Sequence, residues 1–421
     1  MDHADKQVGD TAQKHDHRNH VGYSFWVLCI IGFFAILSST MSKNPVLNPF
    51  ARALGTPESY MGFIASASTI PGILVSLPAG SLSDRFGRKK LLLVSGIIFA
   101  SAPFLYLIVH VWWQLALVRF YHGFATAMFV PITNAYVVEM FPTRKAEQIS
   151  LFSSATIVGR SLAPFLGGYI LFVTDYGFQQ LYLAVGAAGV ASLIMAFILL
   201  KEKAQSADLQ PERKTKVPSQ FRGWAVVAKN PGVLVVSLVE AAQYYVYGAV
   251  EFFFVGYLIQ IAHFNSLSVG IIAGAQLATV PLLKPLTGKL SDRIGRRIPI
   301  ATGSVVGSLS LLVIPFTTNF FLLLVLSILY GFGFSMVDAS TPALTSDLVE
   351  QHLVGTGMGF LSTIMDVGQA LGPIITGVIL ASSFGYVGSF ASFALILLAT
   401  CSIFITARIG KIASGNSHMY R

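Results

Sequence analysis

Long apolar stretches, separated by short polar segments, run through nearly the whole chain of 421 residues. Twelve of these stretches reach about 20 residues, the length an α-helix needs to cross the hydrocarbon of a bilayer. The pattern therefore predicts twelve membrane-spanning helices. Their predicted ranges are 23–42, 58–80, 91–110, 113–138, 149–172, 180–200, 232–260, 267–287, 298–316, 319–346, 354–381 and 386–408.

A charged insert divides the twelve spans into two sets of six. This insert, 201–229, separates a predicted N-terminal bundle, 22–200, from a predicted C-terminal bundle, 230–410. The polar ends, 1–21 and 411–421, are predicted to be tails outside the membrane, the first of them disordered. Because the number of spans is even, both tails must lie on the same side. The predicted fold class is an all-α integral membrane protein of two six-helix bundles.

The distribution of charge indicates which side holds the tails. Hydrophobic residues make up 54% of the chain and charged residues 11%, against about 25% charged residues in a soluble domain. Of the 28 Lys and Arg residues, 23 lie in the tails and in the connections on their side. The positive-inside rule therefore places both termini in the cytoplasm. It also accounts for the net charge of +9, so no nucleic-acid partner is expected.

A short charged loop occurs twice. Residues 80–90 read GSLSDRFGRKK and residues 288–297 read GKLSDRIGRR, with a constant offset of 208 positions. Glu139 and Asp347 are separated by the same offset. A fixed offset of about half the chain indicates internal duplication, so the two bundles are predicted to be pseudo-symmetric. The paired loop positions are Gly80 and Gly288, Asp84 and Asp292, Arg85 and Arg293, Gly87 and Gly295, and Arg88 and Arg296.

This repeated loop, G-x-x-x-D-R-x-G-R-[KR], resembles the signature loop of the major facilitator superfamily of secondary transporters, where it follows the second helix of each half. The resemblance implies two six-helix bundles around a central cavity that opens alternately to each face, as parallel repeats. It also implies that the two loops act as latches. Their Asp and Arg side chains would hold the cytoplasmic ends together when the cavity faces outward. A monomer is implied as well.

Two further elements resemble those of the proton-coupled exporters in that superfamily. Arg119 to Gly123 in the fourth span reads RFYHG, similar to their R-x-x-x-G element, in which the Arg is implicated in proton coupling. Residues 159–168 read GRSLAPFLGG, similar to their G-x-x-x-G-P-x-x-G-G motif except for Ala163. Residues 368–377 repeat this pattern. Small residues with Pro164 or Pro373 permit close helix contact and bending, so both prolines are predicted gating residues.

Seven Asp, Glu, Lys and Arg side chains lie inside the predicted spans, away from the terminal residues of those spans. Each costs a few kcal/mol at the centre of a bilayer, so each is a candidate functional residue. Lys284 lies near the cytoplasmic end of its span, where snorkelling to the lipid headgroups is equally open. The seven are Arg119, Arg160, Glu240, Glu251, Lys284, Asp338 and Asp366.

The seventh span carries the most informative pattern. Glu240, Tyr244, Tyr247 and Glu251 are spaced at i, i+4, i+7 and i+11, which places them on one face of a helix. Such a stripe is predicted to face the central cavity, where phenol rings beside a carboxylate can hold a cation or an amphipathic ligand. The alternative is a structural role without a ligand, either as a tyrosine packing seam or as an interhelical salt bridge in which Arg119 or Arg160 pairs with Glu240 across the cavity.

Proton coupling requires a buried carboxylate that binds a proton near neutral pH. The four acids Glu240, Glu251, Asp338 and Asp366 are candidates, and Glu240 with Asp338 is the first choice because both lie well inside their spans.

The chain lacks a Walker motif, G-x-S-x-G, H-E-x-x-H and C-x-x-C. ATP-driven transport, catalysis and bound cofactors are therefore not expected, and neither is a metal site.

The predicted function is export of a small amphipathic or cationic compound by proton antiport, from a multi-pass position in a bacterial inner membrane. The partners expected are the substrate, protons and the lipid bilayer, and the energy source is the proton gradient. A symporter or facilitator for a sugar or organic anion is an alternative, with Arg119, Arg160 and Lys284 as the binding set. A non-transporting receptor is a further alternative, although both signature loops are intact.

Overall fold

The structure is a computed structural model that describes residues 24–75, 87–141, 144–199, 226–350 and 353–407. Within these residues the regular structure is helical throughout. A short helix, Leu47–Ala53, lies in the connection between the first two spans. The helices of the N-terminal half are α1 (Ser24–Met41), α2 (Glu58–Ser66, resuming over 70–75), α3 (Arg88–Tyr106), α4 (Trp112–Met140), α5 (Lys145–Val173) and α6 (Phe178–Leu199).

The C-terminal half repeats this arrangement with six further helices. Three of them begin with an Asn whose side chain accepts hydrogen bonds from backbone N–H groups of the first turn, which would otherwise lack a partner. These caps are Asn230, Asn265 and Asn319. The helices are α7 (Pro231–Gln260), α8 (Ser266–Ile294), α9 (Arg297–Val313, extended by a 3-10 turn over Ile314–Phe316), α10 (Phe320–Leu348), α11 (Val354–Ala381) and α12 (Gly385–Thr406).

The prediction of an all-α membrane protein with two six-helix bundles is confirmed. In the described residues, eleven helices are long and apolar enough to cross a membrane. The remaining predicted span, which is the second in the chain at 58–80, is described only as far as residue 75. It is not a continuous helix. A turn at 67–69 interrupts α2 just before Pro71, whose ring and missing N–H disfavour a continuous helix through these residues.

The two halves meet through two helix pairs, α2 with α11 and α5 with α8. Both contacts involve glycines that let backbones approach closely. A Cβ on Gly270 of α8 would lie 2.6 Å from the carbonyl oxygen of Pro164, and one on Gly62 of α2 would lie even closer to the carbonyl oxygen of Pro373. Gly62 and Gly270 are 208 positions apart, so the duplicated sequence produces two copies of one contact.

Both contacts lie at the end of the molecule remote from the chain termini. Pro164 and Pro373 lie in the last third of their helices, and Gly62 and Gly270 lie in the first turns of theirs. Ser66 of α2 strengthens this end by donating a hydrogen bond of 2.6 Å to the carbonyl of Ala370 in α11. The halves are therefore closed together at this end, which we call the joined end.

Candidate functional site

A cavity of about 900 Å³ lies between the halves. It extends from Lys43 and Glu251, at the joined end, to Ser150 and Pro285, in the parts of α5 and α8 nearer the other end. Its walls combine apolar and aromatic side chains with a small number of charged groups, as is usual for a small-molecule site. The sequence-predicted residues that line it are Arg119, Arg160, Tyr244, Tyr247, Glu251, Asp338 and Asp366.

The predicted stripe on α7 faces α10 and the cavity. The hydroxyl of Tyr244 donates a hydrogen bond of 2.9 Å to Asp338 Oδ1. Tyr247 stacks on Phe334, with ring centroids 4.7 Å apart and the planes inclined by 27°. The tyrosines therefore do form a packing seam with α10, and they also line the cavity. Phe334 is a lining residue outside the predicted set.

Glu240 lies behind the cavity wall rather than in it. Its side chain is 2% exposed, and Oε2 accepts a hydrogen bond of 2.6 Å from the hydroxyl of Thr341 on α10. The alternative of an ion pair between Glu240 and an arginine of the other half is wrong for this structure, because the carboxylate points into the α7–α10 contact. Thr341, a β-branched polar residue one turn from Asp338, is the partner that the charge pattern alone does not identify.

Asp338 is held by two partners. Besides Tyr244, Lys284 of α8 contacts it through Nζ, 2.5 Å from Oδ2. Asp338 is 7% exposed and the Lys284 side chain is half exposed toward the cavity. Lys284 therefore pairs with a buried acid of its own half, and the snorkelling interpretation does not describe its position here.

The R-x-x-x-G element of α4 has a direct structural explanation. Gly123 packs against the α2 turn at 67–69, where a Cβ would come within 2.9 Å of Ser68 Cα. This close approach brings the Ser68 hydroxyl within 2.5 Å of Arg119 Nη2. Arg119 is 2% exposed, and its Nε has no hydrogen-bond partner in the part of the chain that the structure describes.

Arg160 of α5 and Asp366 of α11 also line the cavity, one from each half. The Arg160 side chain is exposed to this space, and that of Asp366 is partly exposed. Across the described residues, neither forms a hydrogen bond or an ion pair. Within the described part of the chain, both charged groups are therefore available to solvent or a ligand in this space.

Lys43 is a site residue that the sequence interpretation missed. It follows α1, and its Nζ donates a hydrogen bond of 2.5 Å to Glu251 Oε2 across the boundary between the halves. The side chains are only 18% and 8% exposed. Lys43 and Glu251 are 208 positions apart, so they are equivalent positions of the duplicated unit. A search for charged residues outside the signature loops that are separated by this same offset would have found the pair in the sequence.

The described parts of the signature loops, 87–90 and 288–297, lie at the end opposite to the joined end. Gly87 and Gly295 both have positive φ, 92° and 86°, immediately before α3 and after α8, which explains why these positions are glycine. Gly80, Asp84 and Arg85 lie outside the described residues, and a Cβ on Gly288 would meet nothing within 4 Å. The latch between the halves stays a prediction for a state whose cavity faces outward.

Two of the described loop arginines contact acids of their own halves. Arg88 contacts Glu139 at the end of α4, with Nη2 2.9 Å from Oε1. The equivalent Arg296 contacts Asp347 at the end of α10, 3.6 Å from Nε to Oδ2, and also pairs with Asp292. Each half thus carries the same arginine–acid contact between its second-to-third-helix loop and its fourth helix.

Comparison with known proteins agrees with this architecture. The model of the Major Facilitator Superfamily matches residues 28–274 and 236–414. An uncharacterized MFS-type transporter of Methanocaldococcus jannaschii is 23% identical over 359 residues, covering 84% of this chain and 88% of the relative. Quinolone resistance protein NorA of Staphylococcus aureus is 23% identical over 344 residues, covering 79% and 84%.

Solved structures share the fold at low sequence identity. A bacterial homolog of the human lysosomal transporter Spinster, in an inward-facing and unoccupied conformation, has a TM-score of 0.75 at 15% identity, covering 92% of this chain and 95% of that chain. The nucleoside transporter NupG has a TM-score of 0.76 at 16% identity, covering 91% and 98%. With the family model matching nearly the whole length of the two-bundle fold, this chain belongs to the major facilitator superfamily of multi-pass membrane transporters.

Proposed function

We propose that this transporter exports a small amphipathic or cationic compound in exchange for protons, by alternating access and without a bound cofactor. The relatives named for quinolone resistance favour efflux, and the mixed aromatic and acidic wall of the cavity suits an amphipathic ligand. The proposed location is a bacterial inner membrane with both termini in the cytoplasm, where the positive-inside rule puts the basic segments.

The observation that carries the proposal is the pair of buried acids between α7 and α10. Glu240 has a neutral hydroxyl as its partner, whereas Asp338 is bonded to Tyr244 and Lys284. Thr341 lies one turn from Asp338, and Tyr244 lies one turn from Glu240, so both carboxylates share one helix contact. A proton that enters this contact removes negative charge from beside the cavity, which weakens the attraction of the cavity for the cationic group of a substrate. This mutual exclusion of proton and substrate is the basis of exchange.

The closed contacts at the joined end fit this cycle. With the termini in the cytoplasm, the end opposite the joined end faces the cytoplasm, which is the side from which an exporter loads its substrate. Transport then requires the α2–α11 and α5–α8 contacts to separate while the signature loops come together. The two pseudo-symmetric contacts described above are the packed surfaces that such rocking has to break.

The test uses purified protein in vesicles whose lumen is made acidic, with a pH-sensitive dye inside and the cytoplasmic face of the protein outside. Ethidium, glucose and citrate are added separately. Ethidium should drive protons out of the lumen, and Glu240→Gln should abolish this release because it removes the protonated group. Glu147→Gln is the matched control, since Glu147 is exposed and pairs only with Arg144 among the described residues.

A different pattern of results would reject the proposal. Proton movement with glucose or citrate alone would instead support a symporter, which is the second candidate function. That candidate is favoured by Arg119 and Arg160, because neither has a carboxylate partner in the described part of the chain. Proton release that persists in Glu240→Gln would remove Glu240 from the coupling mechanism. No response to any of the three compounds would refute proton coupling for these substrate classes.

A further inference from the structure

We propose that the cavity is built for a zwitterionic ligand, with one anionic and one cationic group joined by an apolar body. The anionic group would bind at Arg160 and Arg119, and the cationic group at Asp366. This inference rests on the proposed function, because it takes the cavity as the substrate site, and it narrows the class of substrate. It comes from the charges that the protein leaves unneutralised inside the cavity.

Two of the cavity's ion pairs are internal to the protein. Lys43 is paired with Glu251 across the joined end, and Lys284 is paired with Asp338 within the C-terminal half. Each pair brings together one cation and one carboxylate at 2.5 Å. These four side chains are therefore not the primary charges offered to a ligand, and the remaining lining charges are Arg119, Arg160 and Asp366.

The positive charges that remain lie on the N-terminal wall. Arg119 is 2% exposed and bonded to the Ser68 hydroxyl, with no carboxylate partner and an unsatisfied Nε in the described chain. A buried guanidinium without a carboxylate partner is stabilised by an anion that binds beside it, because its positive charge is otherwise uncompensated. Arg160, on the neighbouring helix α5, exposes its side chain to the same space. Together the two make a site for a carboxylate or a similar anion.

The negative charge that remains lies on the opposite wall. Asp366 of α11 faces the cavity and, among the described residues, has no bonded cation. When the halves close around a ligand, water is expelled, and an unpaired charge in the closed cavity carries a desolvation penalty. A ligand with a single charge would leave either the two arginines or Asp366 unpaired in the closed cavity. A zwitterion satisfies both walls at once and bridges the two halves that must move together.

The remaining lining of the cavity suits an apolar body. Tyr247 and Phe334 form a stacked pair on the wall, and Met365 lies next to Asp366. Val130 and Ile157 contribute apolar surface from the N-terminal half. An aromatic or aliphatic scaffold can pack here while its two charged ends reach opposite walls.

The experiment compares three fluorescent compounds that differ only in charge. Nα-dansyl-lysine is a zwitterion, dansylcadaverine is the same molecule without the carboxylate, and Nε-acetyl-Nα-dansyl-lysine lacks the cation. Binding to the full-length protein in lipid nanodiscs is followed by the rise in dansyl fluorescence. The zwitterion should bind at least about tenfold more tightly than either singly charged compound, the effect of one charge-assisted hydrogen bond.

Two variants assign the ends of the ligand. Arg160→Gln should weaken the two carboxylate-bearing compounds about tenfold more than dansylcadaverine, and Asp366→Asn should weaken the two ammonium-bearing compounds about tenfold more than the acetylated anion. Arg144→Gln and Asp175→Asn are matched controls, because both residues are exposed and outside the cavity. They should leave all three affinities unchanged. Monodisperse elution of each variant verifies that it is folded.

Equal binding of dansylcadaverine and dansyl-lysine would overturn the inference, since it would mean that the carboxylate is not recognised. Absence of dansyl-lysine binding would overturn it as well. Either result leaves the proposed proton exchange standing if ethidium still drives Glu240-dependent proton release. Loss of that release, together with selective binding of the zwitterion, would instead refute antiport and retain the ligand class. The two proposals can therefore fail separately.

Discussion

Gly270→Ala is expected to open the joined end of this transporter. A methyl group at this position would lie 2.6 Å from the carbonyl oxygen of Pro164 and 2.9 Å from Gly168 Cα. Both neighbours are backbone atoms, so no side-chain rotation can relieve the overlap. To restore ordinary van der Waals distances, α5 and α8 have to separate by roughly 1 Å in an interior that is otherwise close-packed.

The cost of this overlap falls on one state only. Overpacking a tight interior costs about 1–3 kcal/mol, and the outward-open state, in which these helices have separated, does not incur it. A difference of this size corresponds to a shift of about 5- to 150-fold in the equilibrium between the two states. Gly62→Ala perturbs the pseudo-symmetric contact at Pro373, so its effect should have the same sign.

Spin-label distances can measure the shift. Labels at Val173, the last residue of α5, and Ile261, just after α7, are 56% and 45% exposed in the native protein and report on opposite halves at the joined end. Cys29 and Cys401 are buried and can be replaced first. Gly270→Ala should transfer population to longer distances. Gly359→Ala on α11, where a Cβ meets nothing within 4 Å, should not. Identical distance distributions in both variants would refute the reasoning.

Two further predictions concern ion pairs whose burial differs. Lys43→Gln should leave the charge of Glu251, which is 8% exposed, without a partner, and this should destabilise the joined end by about 3–5 kcal/mol. The spin labels at Val173 and Ile261 should then report opening. Exchanging the two residues, with Lys43→Glu and Glu251→Lys together, should restore closure. A distribution unchanged from wild type would contradict this. Arg144→Gln should lower the free energy of unfolding by no more than about 1 kcal/mol, because Arg144 and its partner Glu147 are 64% and 50% exposed. A larger loss in a thermal melt would contradict this expectation.

The duplicated sequence predicts much of this protein because a local pattern suffices. Spans of about 20 apolar residues are fixed by the thickness of the bilayer, so their number and approximate bounds follow from hydropathy alone. The signature loops, with their Gly and Arg positions at an offset of 208, indicate two equivalent halves. The same physics explains why seven of the eight predicted binding residues line the cavity: charges inside a span cannot face lipid, so they turn inward.

The partners of those charges are less predictable. Glu240 and Glu251 lie on one stripe of α7, yet one contacts Thr341 within its own half and the other contacts Lys43 of the opposite half. Helical spacing specifies the face on which a side chain lies, but not the helix that packs against this face.

By itself, the sequence determined that this chain is a duplicated, twelve-span membrane protein with signature loops and with its polar groups inside the bundles. Those properties depend on the transfer free energies of short segments and on a repeat in the sequence. Neither requires knowledge of which helices pack against each other. Only the tertiary structure decided which charges are neutralised and which remain open to a ligand, and which end of the molecule is closed. These properties depend on distances between atoms of different helices, such as the 2.5 Å between Lys43 and Glu251, and packing alone sets those distances.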